Sequence, residues 1–317
     1  MQARIVQTNW GRALLNLQSC DLCPRCCGAD RTAGKRGWCG AGGSVRIALV
    51  SLHQWEEPCL TGTQGAGTVF FSGCTMKCVF CQNYNVSHCS QGLDVSTERL
   101  AEIFMEQQQR GAASLDLVTP THYVPQIIEA LTAARSAGFC LPVVYNTGGY
   151  ERVETVEALR GFVDVYLPDM KYYDAELARR YSSAPDYFRH ASAALEKMVE
   201  QVGPCVIKDG LMTRGVLVRH LVLPGCYRDS RKILDYLSSQ FGSSIYISLM
   251  NQFTPMPQAT GFRELNRRLT TYEYNKVIDH ALELGLTNCF IQEGHTASDK
   301  FIPIFDGSGV LREGEKR

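Results

Sequence analysis

The chain contains a short cysteine motif in which Cys74, Cys78 and Cys81 are separated by three and two residues. Three thiolates on one loop can bind three irons of a [4Fe–4S] cluster and leave the fourth iron without a protein ligand. A catalytic metal site keeps such an open position, whereas a structural site closes it. The alternative from spacing alone is a structural zinc with His88 or Cys89 as fourth ligand.

A second group of cysteines lies near the N-terminus. Cys20, Cys23, Cys27 and Cys39 offer four thiolates, and Cys26 is an alternative to Cys27. Two closely spaced thiols followed by a later ligand resemble the spacing of zinc ribbons. Because soft thiolates suit both metals, the spacing predicts either a zinc ion or a second iron–sulfur cluster. Free thiols are the remaining interpretation.

The composition restricts the class of protein. The chain has 317 residues with 14 cysteines, and its 32 Lys+Arg balance its 32 Asp+Glu. Disulfide scaffolds are mostly short and secreted, so we expect metal or redox chemistry in the cytoplasm instead. The zero net charge disfavours a nucleic-acid partner, and no apolar run is long enough to span a membrane.

Apolar strands and amphipathic helices alternate along most of the chain. Strands are predicted at 45–52, 67–73, 115–120, 141–149, 162–171, 215–225, 244–252 and 288–294. Helices are predicted at 96–110, 124–138, 151–161, 228–242 and 271–285, and helical segments over about 174–202. This series of six or seven β–α units predicts a β/α barrel or an open doubly wound sheet. The first strand lacks a following Gly-x-Gly-x-x-Gly, which disfavours the dinucleotide-binding sheet.

Polar residues are concentrated where these strands end. They are Cys74, Thr119, Thr121, His122, Asn146, Thr147, Asp169, Lys171, Arg219, His220 and Asn251. The carboxyl ends of barrel strands form the catalytic face, so we expect these side chains to surround one site. His53, Glu56 and Glu57 are further candidates for a substrate or metal contact, or for a lid. A turn, a structural ion pair or a packed histidine is the alternative interpretation.

The motif at Cys74–Cys81 resembles the signature of the radical S-adenosylmethionine (SAM) superfamily. The resemblance extends through nearly the whole chain and is most specific to the pyruvate formate-lyase activating enzyme-like proteins of the PflX group. It rests on the segments EEPCLTGTQGAGTVFFSGCTMKCVFCQNYNVS, VTPTHYVPQI, LPVVYNTGGYE, VDVYLPDMKYYD and VRHLVLPG. The resemblance implies an α/β fold, namely a partial (β/α)6 TIM-like barrel with a small Cys-rich N-terminal module.

This resemblance also suggests a division of the chain. We expect residues 1–52 to form the metal-binding module and a leading strand, residues 53–293 the radical SAM barrel, and residues 294–317 a tail that docks on the barrel.

The resemblance implies a radical SAM enzyme. Such an enzyme binds SAM at the open iron of a [4Fe–4S] cluster, cleaves it reductively to a 5′-deoxyadenosyl radical, and abstracts a hydrogen atom from a substrate. The implied partners are an electron donor such as flavodoxin or ferredoxin and an unknown substrate, which is a small molecule, a peptide or a protein. The alternatives are an activase that makes a glycyl radical on a partner enzyme, and a non-catalytic iron–sulfur or zinc scaffold.

Strand-end residues are the implied SAM pocket. Activating enzymes bind the SAM amino group through Gly-Gly-Glu, but here the slot reads Thr119-Pro120-Thr121-His122, so backbone carbonyls or threonine hydroxyls are expected to replace the glutamate. Three other pairs resemble further SAM-binding segments of activating enzymes: Asn146 and Thr147, Asp169 and Lys171, and Arg219 and His220.

Overall fold

The computed structural model describes residues 16–292, 303–312 and 314–315. The strands are β1 (Val45–His53), β2 (Ala66–Phe71), β3 (Leu93–Val95), β4 (Leu115–Val118), β5 (Val143–Thr147), β6 (Val165–Pro168), β7 (Val206–Lys208), β8 (Leu211–Leu221), β9 (Tyr246–Met250) and β10 (Cys289–Ile291). The α-helices are α1 (Pro58–Thr61), α2 (Tyr84–Ser87), α3 (Thr97–Gln109), α4 (Val124–Ser136), α5 (Val153–Ala158), α6 (Ala175–Ser182), α7 (Tyr187–Val202), α8 (Tyr227–Phe241) and α9 (Thr271–Glu283).

The strands form one sheet whose central part is parallel. Its order is β10-β9-β8-β6-β5-β4-β2-β1-β3, with β7 paired to β8. From β2 to β10 the neighbours run parallel, whereas β1 and β3 extend the edge in the antiparallel direction. The order of the parallel strands never reverses, unlike that of a doubly wound sheet. The predicted partial (β/α)6 barrel is therefore confirmed.

Alternation along the strands decides which side chains face the concave side of the sheet. In β5, β6 and β8 the residues Val144, Val165, Leu167 and Leu217 pack on this side against Leu60 of α1. Successive side chains of a strand point to opposite faces, so Asn146 and Arg219 lie on the same side, two residues further along. The short helix α1 thus fills the bottom of the concavity, and polar groups occupy its carboxyl end.

Helices cover the convex side and follow the strands as predicted. The chain enters α3 through Ser96, whose side chain accepts a hydrogen bond from the backbone N–H of Arg99. The helix α9 starts with a capping box between Thr270 and Glu273. Such caps satisfy the free backbone N–H groups of a first turn.

The structure also differs from the predicted elements. The helical segments predicted over 174–202 are the two helices α6 and α7, which are separated after the C-cap residue Ser183, whose backbone is left-handed with φ 49°. The elements β3, β7, α1 and α2 were not predicted; each has three or four residues. Such short elements contain too few residues to show a periodic pattern.

Two segments outside the β/α units contact the rest of the fold, one at strand β1 and one at helix α4. In the C-terminal part, Ser308 accepts a hydrogen bond from the Val50 N–H of β1 at 2.9 Å. In the N-terminal part, Gln126 of α4 donates to the Gly43 carbonyl at 2.9 Å. The predicted division at residues 52 and 293 stays a prediction. None of the helices in the described residues has the length and hydrophobicity that a membrane crossing requires.

Candidate functional site

The cysteine motif lies on the loop that follows β2, at the carboxyl end of the sheet. Cys78 is buried, and Cys74 and Cys81 are half-buried. The loop bends through Gly73 and Lys77, which have φ angles of 91° and 53°. Gly73 has no room for a side chain, because a Cβ atom there would lie 2.3 Å from the Cys39 carbonyl oxygen. The loop is therefore held tightly between the sheet and the N-terminal segment.

Each thiol of the motif has a nearby hydrogen-bond donor. The donor–sulfur distances are 3.3 Å for Met76 N–H to Cys74 Sγ, 2.9 Å for Ser182 Oγ to Cys78 Sγ, and 3.2 Å for Ser87 Oγ to Cys81 Sγ. Hydrogen bonds are stronger when the acceptor carries a negative charge, so these donors suit thiolates better than thiols.

The donor set fits an iron–sulfur cluster. Burial raises the pKa of all three thiols, and it raises that of Cys81 to about 12, with Cys74 and Cys78 contributing. A bound cation deprotonates such thiols. No group of three or more His, Cys, Asp or Glu side chains in the described residues is placed to hold one metal ion. A cluster requires only one thiolate for each iron.

Cys78 and Cys81 line a cavity of about 540 Å³ at the carboxyl ends of the strands. Strand residues on its wall include Phe70, Val118, Asn146, Arg219, Ser248 and Met250, and Asp169 directly follows β6. Loop residues on its wall include Trp55, Glu56, Glu57, Gln82 and Lys171. The volume lies in the range of small-molecule and cofactor sites, and the mixture of apolar walls with a few polar groups is typical of them.

Arg219 of β8 is the centre of a network of charged groups in this cavity. Its guanidinium donates to Asp169 Oδ1 at 3.1 Å, to Glu56 Oε2 at 3.2 Å and to Asn146 Oδ1 at 2.5 Å. Lys171 Nζ donates to the other oxygen of Asp169 at 2.5 Å. The network thus ties the ends of β5, β6 and β8 to the loop before α1.

Carboxyl groups outnumber cations in this network. Burial would raise the pKa of Asp169, but Lys171 and Arg219 outweigh it, so the net change is a decrease. Three other carboxyl groups have a pKa raised by burial: Glu56, Glu57 and Asp116. One buried oxygen of Asp116, Oδ1, has no hydrogen-bond partner among the described residues. The site therefore suits a ligand that brings positive charge.

Thr121 and Thr147 lie outside the cavity, beside a carboxyl group that the sequence did not point to. Both hydroxyls donate to Glu151 Oε1, Thr121 at 2.5 Å. Tyr145 donates to the other oxygen at 3.5 Å, and burial raises the pKa of Glu151 to about 7. Glu151 is fully buried. The two threonine hydroxyls are thus already engaged within the protein.

The two histidines of the implied SAM pocket, His122 and His220, are packed side chains in this structure. His122 Nε2 contacts the Ser72 carbonyl at 2.8 Å, and His220 Nδ1 contacts the Met170 carbonyl at 2.6 Å. Burial lowers the pKa of both to about 4, so both are neutral near pH 7. Thr119 follows β4 with φ 58° and does not line the cavity. Of the nine predicted SAM-pocket residues, the cavity wall contains Asn146, Asp169, Lys171 and Arg219.

The N-terminal cysteines are close to one another but differ in exposure. Cys20, Cys23 and Cys39 are buried, whereas Cys26 and Cys27 are exposed. Burial raises the pKa of Cys39, and the neighbouring thiols of Cys20 and Cys27 add to the increase. Among the described residues, these cysteines likewise form no group that is placed to hold one metal ion. The zinc or second cluster predicted for Cys20, Cys23, Cys27 and Cys39 stays a prediction.

Three polar residues near the site were not among the candidates. Asp116 lies in the buried strand β4, where a carboxylate among apolar residues was an available signal. Glu151 follows the Gly-Gly pair after β5, and its position gave no such signal. Ser182 reaches Cys78 from 104 residues away, a contact that only the fold reveals.

Comparison with known proteins bears on the fold. No family model matches the sequence. The chain is 29% identical over 283 residues to an uncharacterized protein of Methanocaldococcus jannaschii, a match that covers 85% of this chain and 76% of that protein.

Among solved structures, the FeFe-hydrogenase maturase HydG from Carboxydothermus hydrogenoformans superposes with a TM-score of 0.50 and 15% identity, over 74% of this chain and 54% of that one. Streptococcus suis SuiB bound to S-adenosylmethionine superposes with a TM-score of 0.48 and 15% identity, over 70% of this chain and 48% of that one. The chain thus spans about half the length of these solved proteins. The likeness to HydG shows a shared β/α barrel fold.

Proposed function

We propose that this protein is a radical SAM enzyme. The observation that carries the proposal is that Cys78 and Cys81 line the same cavity as Asn146, Asp169, Lys171 and Arg219. Metal-binding thiols and a charged ligand pocket therefore share one space. The sequence resemblance to the superfamily agrees with this arrangement, and the finer resemblance to the PflX group stays a prediction.

Cys74, Cys78 and Cys81 are the residues that would hold a [4Fe–4S] cluster, each binding one iron. When bound, the cluster supplies an electron for cleavage of SAM to methionine and a 5′-deoxyadenosyl radical, which takes a hydrogen atom from the substrate. The electron would come from a reduced donor such as flavodoxin or ferredoxin. Zinc or a second cluster at Cys20, Cys23, Cys27 and Cys39 is a further proposal that rests on spacing.

The residues of the cavity suit the charges of SAM, which carries a sulfonium, an ammonium and a carboxylate. Glu56 and Glu57 complement the two cations, and the Lys171–Asp169 pair offers both signs to the amino-acid part. Apolar side chains such as Phe70, Phe80 and Met250 exclude water from the same space. Exclusion of water protects a reactive radical from side reactions.

The cavity also bears on the substrate class. A volume of about 540 Å³ is within the range of pockets for cofactors and small molecules. This favours a substrate that reaches the site as a small molecule or as a single side chain. Direct hydrogen abstraction from such a substrate is our first proposal, and an activase for a glycyl radical is the alternative.

SAM turnover under dithionite tests the proposal. We expect anaerobically reconstituted protein to bind about four irons at the central site and to release 5′-deoxyadenosine and methionine, identified by mass. Cys78→Ala should lose iron and turnover, and the exposed Cys140→Ala should behave like the wild type. Zinc at the central cysteines, or iron without SAM cleavage, would contradict the proposal and favour a scaffold.

A further inference from the structure

Ser182 is a buried residue that points at one of the three cysteines. It is the last residue of α6, only 1% of its surface is exposed, and its Oγ lies 2.9 Å from Cys78 Sγ. The hydroxyl has a second neighbour, Tyr172 Oη, at 2.8 Å. The arrangement places a chain of two hydroxyl groups behind a proposed cluster ligand.

The direction of these hydrogen bonds follows from counting protons. Tyr172 is also buried, and among the described residues Ser182 is the hydrogen-bond partner of its hydroxyl. A buried hydroxyl proton needs an acceptor, so Tyr172 donates to Ser182 Oγ. The proton of Ser182 is then left for Cys78 Sγ, which is the other atom in reach. Tyr172 thereby orients Ser182 as a donor to sulfur.

Ser87, the serine beside Cys81, does not have its proton directed at sulfur in this way. Ser87 Oγ lies 3.2 Å from Cys81 Sγ, but also 2.8 Å from His88 Nδ1 and 3.5 Å from the Tyr84 carbonyl. A hydroxyl has one proton, and here Cys81 Sγ and the Tyr84 carbonyl compete for it, joined by His88 Nδ1 in the tautomer that leaves this nitrogen unprotonated. The chain therefore contains a matched pair of serines, one with its proton directed at sulfur and one with its proton shared.

The position of Ser182 is fixed from two sides. On one side, the Val79 N–H of the cysteine loop donates to the Tyr181 carbonyl at 2.9 Å. On the other side, Arg25 of the N-terminal segment donates to the Ser182 carbonyl and to the Thr75 carbonyl, both at 3.0 Å. The end of α6 and the cysteine loop are thus joined by backbone contacts, which keep the Ser182 hydroxyl within reach of Cys78.

We propose that Ser182, oriented by Tyr172, is a positioning residue that raises the reduction potential of the cluster bound at Cys78. The inference rests on the proposed function, because it needs the cluster. Hydrogen bonds to cluster sulfur help to set the potential, since they stabilise the extra negative charge of the reduced state. Without the donor at Cys78 the cluster becomes harder to reduce.

Redox titration of the reconstituted full chain, followed by electron paramagnetic resonance without SAM, tests this inference. For Ser182→Ala we expect the reduced-to-oxidised ratio at a fixed ambient potential to fall about tenfold, which is about 59 mV for one electron. Tyr172→Phe should shift the potential in the same direction by a smaller amount. Ser87→Ala, the matched control, should shift it less than Ser182→Ala.

Each outcome has a separate meaning. Wild-type protein that loads no iron at the central cysteines would refute the proposed function. Wild-type and Ser182→Ala proteins with equal iron and equal potential would refute the inference alone, as would a Ser87→Ala shift as large as that of Ser182→Ala. If Ser182→Ala fails to load iron, Tyr172→Phe decides, and an unchanged potential in that variant overturns the inference.

Discussion

Two sides of the barrel's carboxyl end use polar residues differently. On the open side, Asn146, Asp169, Lys171 and Arg219 line the cavity. On the covered side, Thr121, His122, Thr147 and Glu151 lie buried, and the N-terminal segment 16–43 contacts this side. There Arg31 donates to the His122 carbonyl, and Thr155 donates to the Leu22 carbonyl at 2.7 Å.

The difference shows that a position at the end of a strand does not by itself place a side chain in the site. Asn146 and Thr147 are neighbours in β5, yet only Asn146 faces the cavity, because successive side chains point to opposite faces. The same holds for Arg219 and His220 in β8. Whether a polar residue at a strand end lines the cavity or packs inside the protein therefore depends on which face of the sheet its side chain points to.

The largest expected effect distinguishes metal bound at the cysteine loop from metal bound at the N-terminal cysteines. In the triple variant Cys74→Ala, Cys78→Ala, Cys81→Ala we expect complete loss of iron and of SAM cleavage. The cysteines near the covered side should still retain about one zinc per chain if the spacing of Cys20, Cys23, Cys27 and Cys39 is that of a zinc ribbon. Metal analysis by mass spectrometry measures both, and a triple variant with neither zinc nor iron would show that these thiols hold no metal.

Arg219→Ala tests how far the open side depends on its central cation. The change leaves the half-buried Asp169 and Glu56 without their shared partner, although Lys171 still pairs with Asp169. Removal of one member of a fully buried ion pair costs about 3–5 kcal/mol, so for this half-buried network we expect a loss at the lower end, about 3 kcal/mol, in the free energy of unfolding in urea. The exposed Arg160→Ala, whose partners are Glu157 and Glu200, should cost less than about 1 kcal/mol.

Glu151 makes the stability of the covered side depend on pH. Its pKa is raised from 4.5 to about 7, so between these values the folded chain holds a proton that the unfolded chain has released. Stability should therefore fall as the pH rises from about 4.5 to 7, by about 3 kcal/mol from this group, and not change further above that range.

Urea unfolding at several pH values compares the wild type with Glu151→Gln. The variant should lose about 3 kcal/mol of the pH dependence, since its amide does not titrate in this range. The exposed Glu154→Gln on the following helix is the control and should match the wild type. Equal pH profiles for all three proteins would show that Glu151 does not retain its proton in the folded state.

The smallest expected effect concerns Arg25, which joins the N-terminal segment to the cysteine loop. Its guanidinium donates to the carbonyls of Thr75, Ser182 and Ser183 and stacks on Trp38. Loss of hydrogen bonds from a charged group should lower the free energy of unfolding by about 2 kcal/mol in Arg25→Ala. Arg36→Ala, at an exposed residue, should change the free energy of unfolding by less than about 0.5 kcal/mol. Equal effects of the two variants would show that Arg25 does not stabilise the contact between the N-terminal segment and the cysteine loop.

The sequence predicted the fold well because strands buried on both sides are continuous apolar runs, as in β5 and β6. It also predicted the cysteine loop and the residues of the charged network apart from Asp116. It did not separate Thr147 from Asn146, although strand alternation contains that information. It could not predict the Ser182–Cys78 contact or the burial of Glu151, since both depend on the packing of distant segments.

The hydrogen bonds made by Arg25 affect the order in which parts of the chain fold. Its acceptors at Thr75 and Ser182 lie 50 and 157 residues further along the chain. Contacts between such distant residues form late, because the loop between them must first be closed at a cost in entropy. During synthesis the N-terminal segment therefore leaves the ribosome first and docks only after more than half of the barrel has been made.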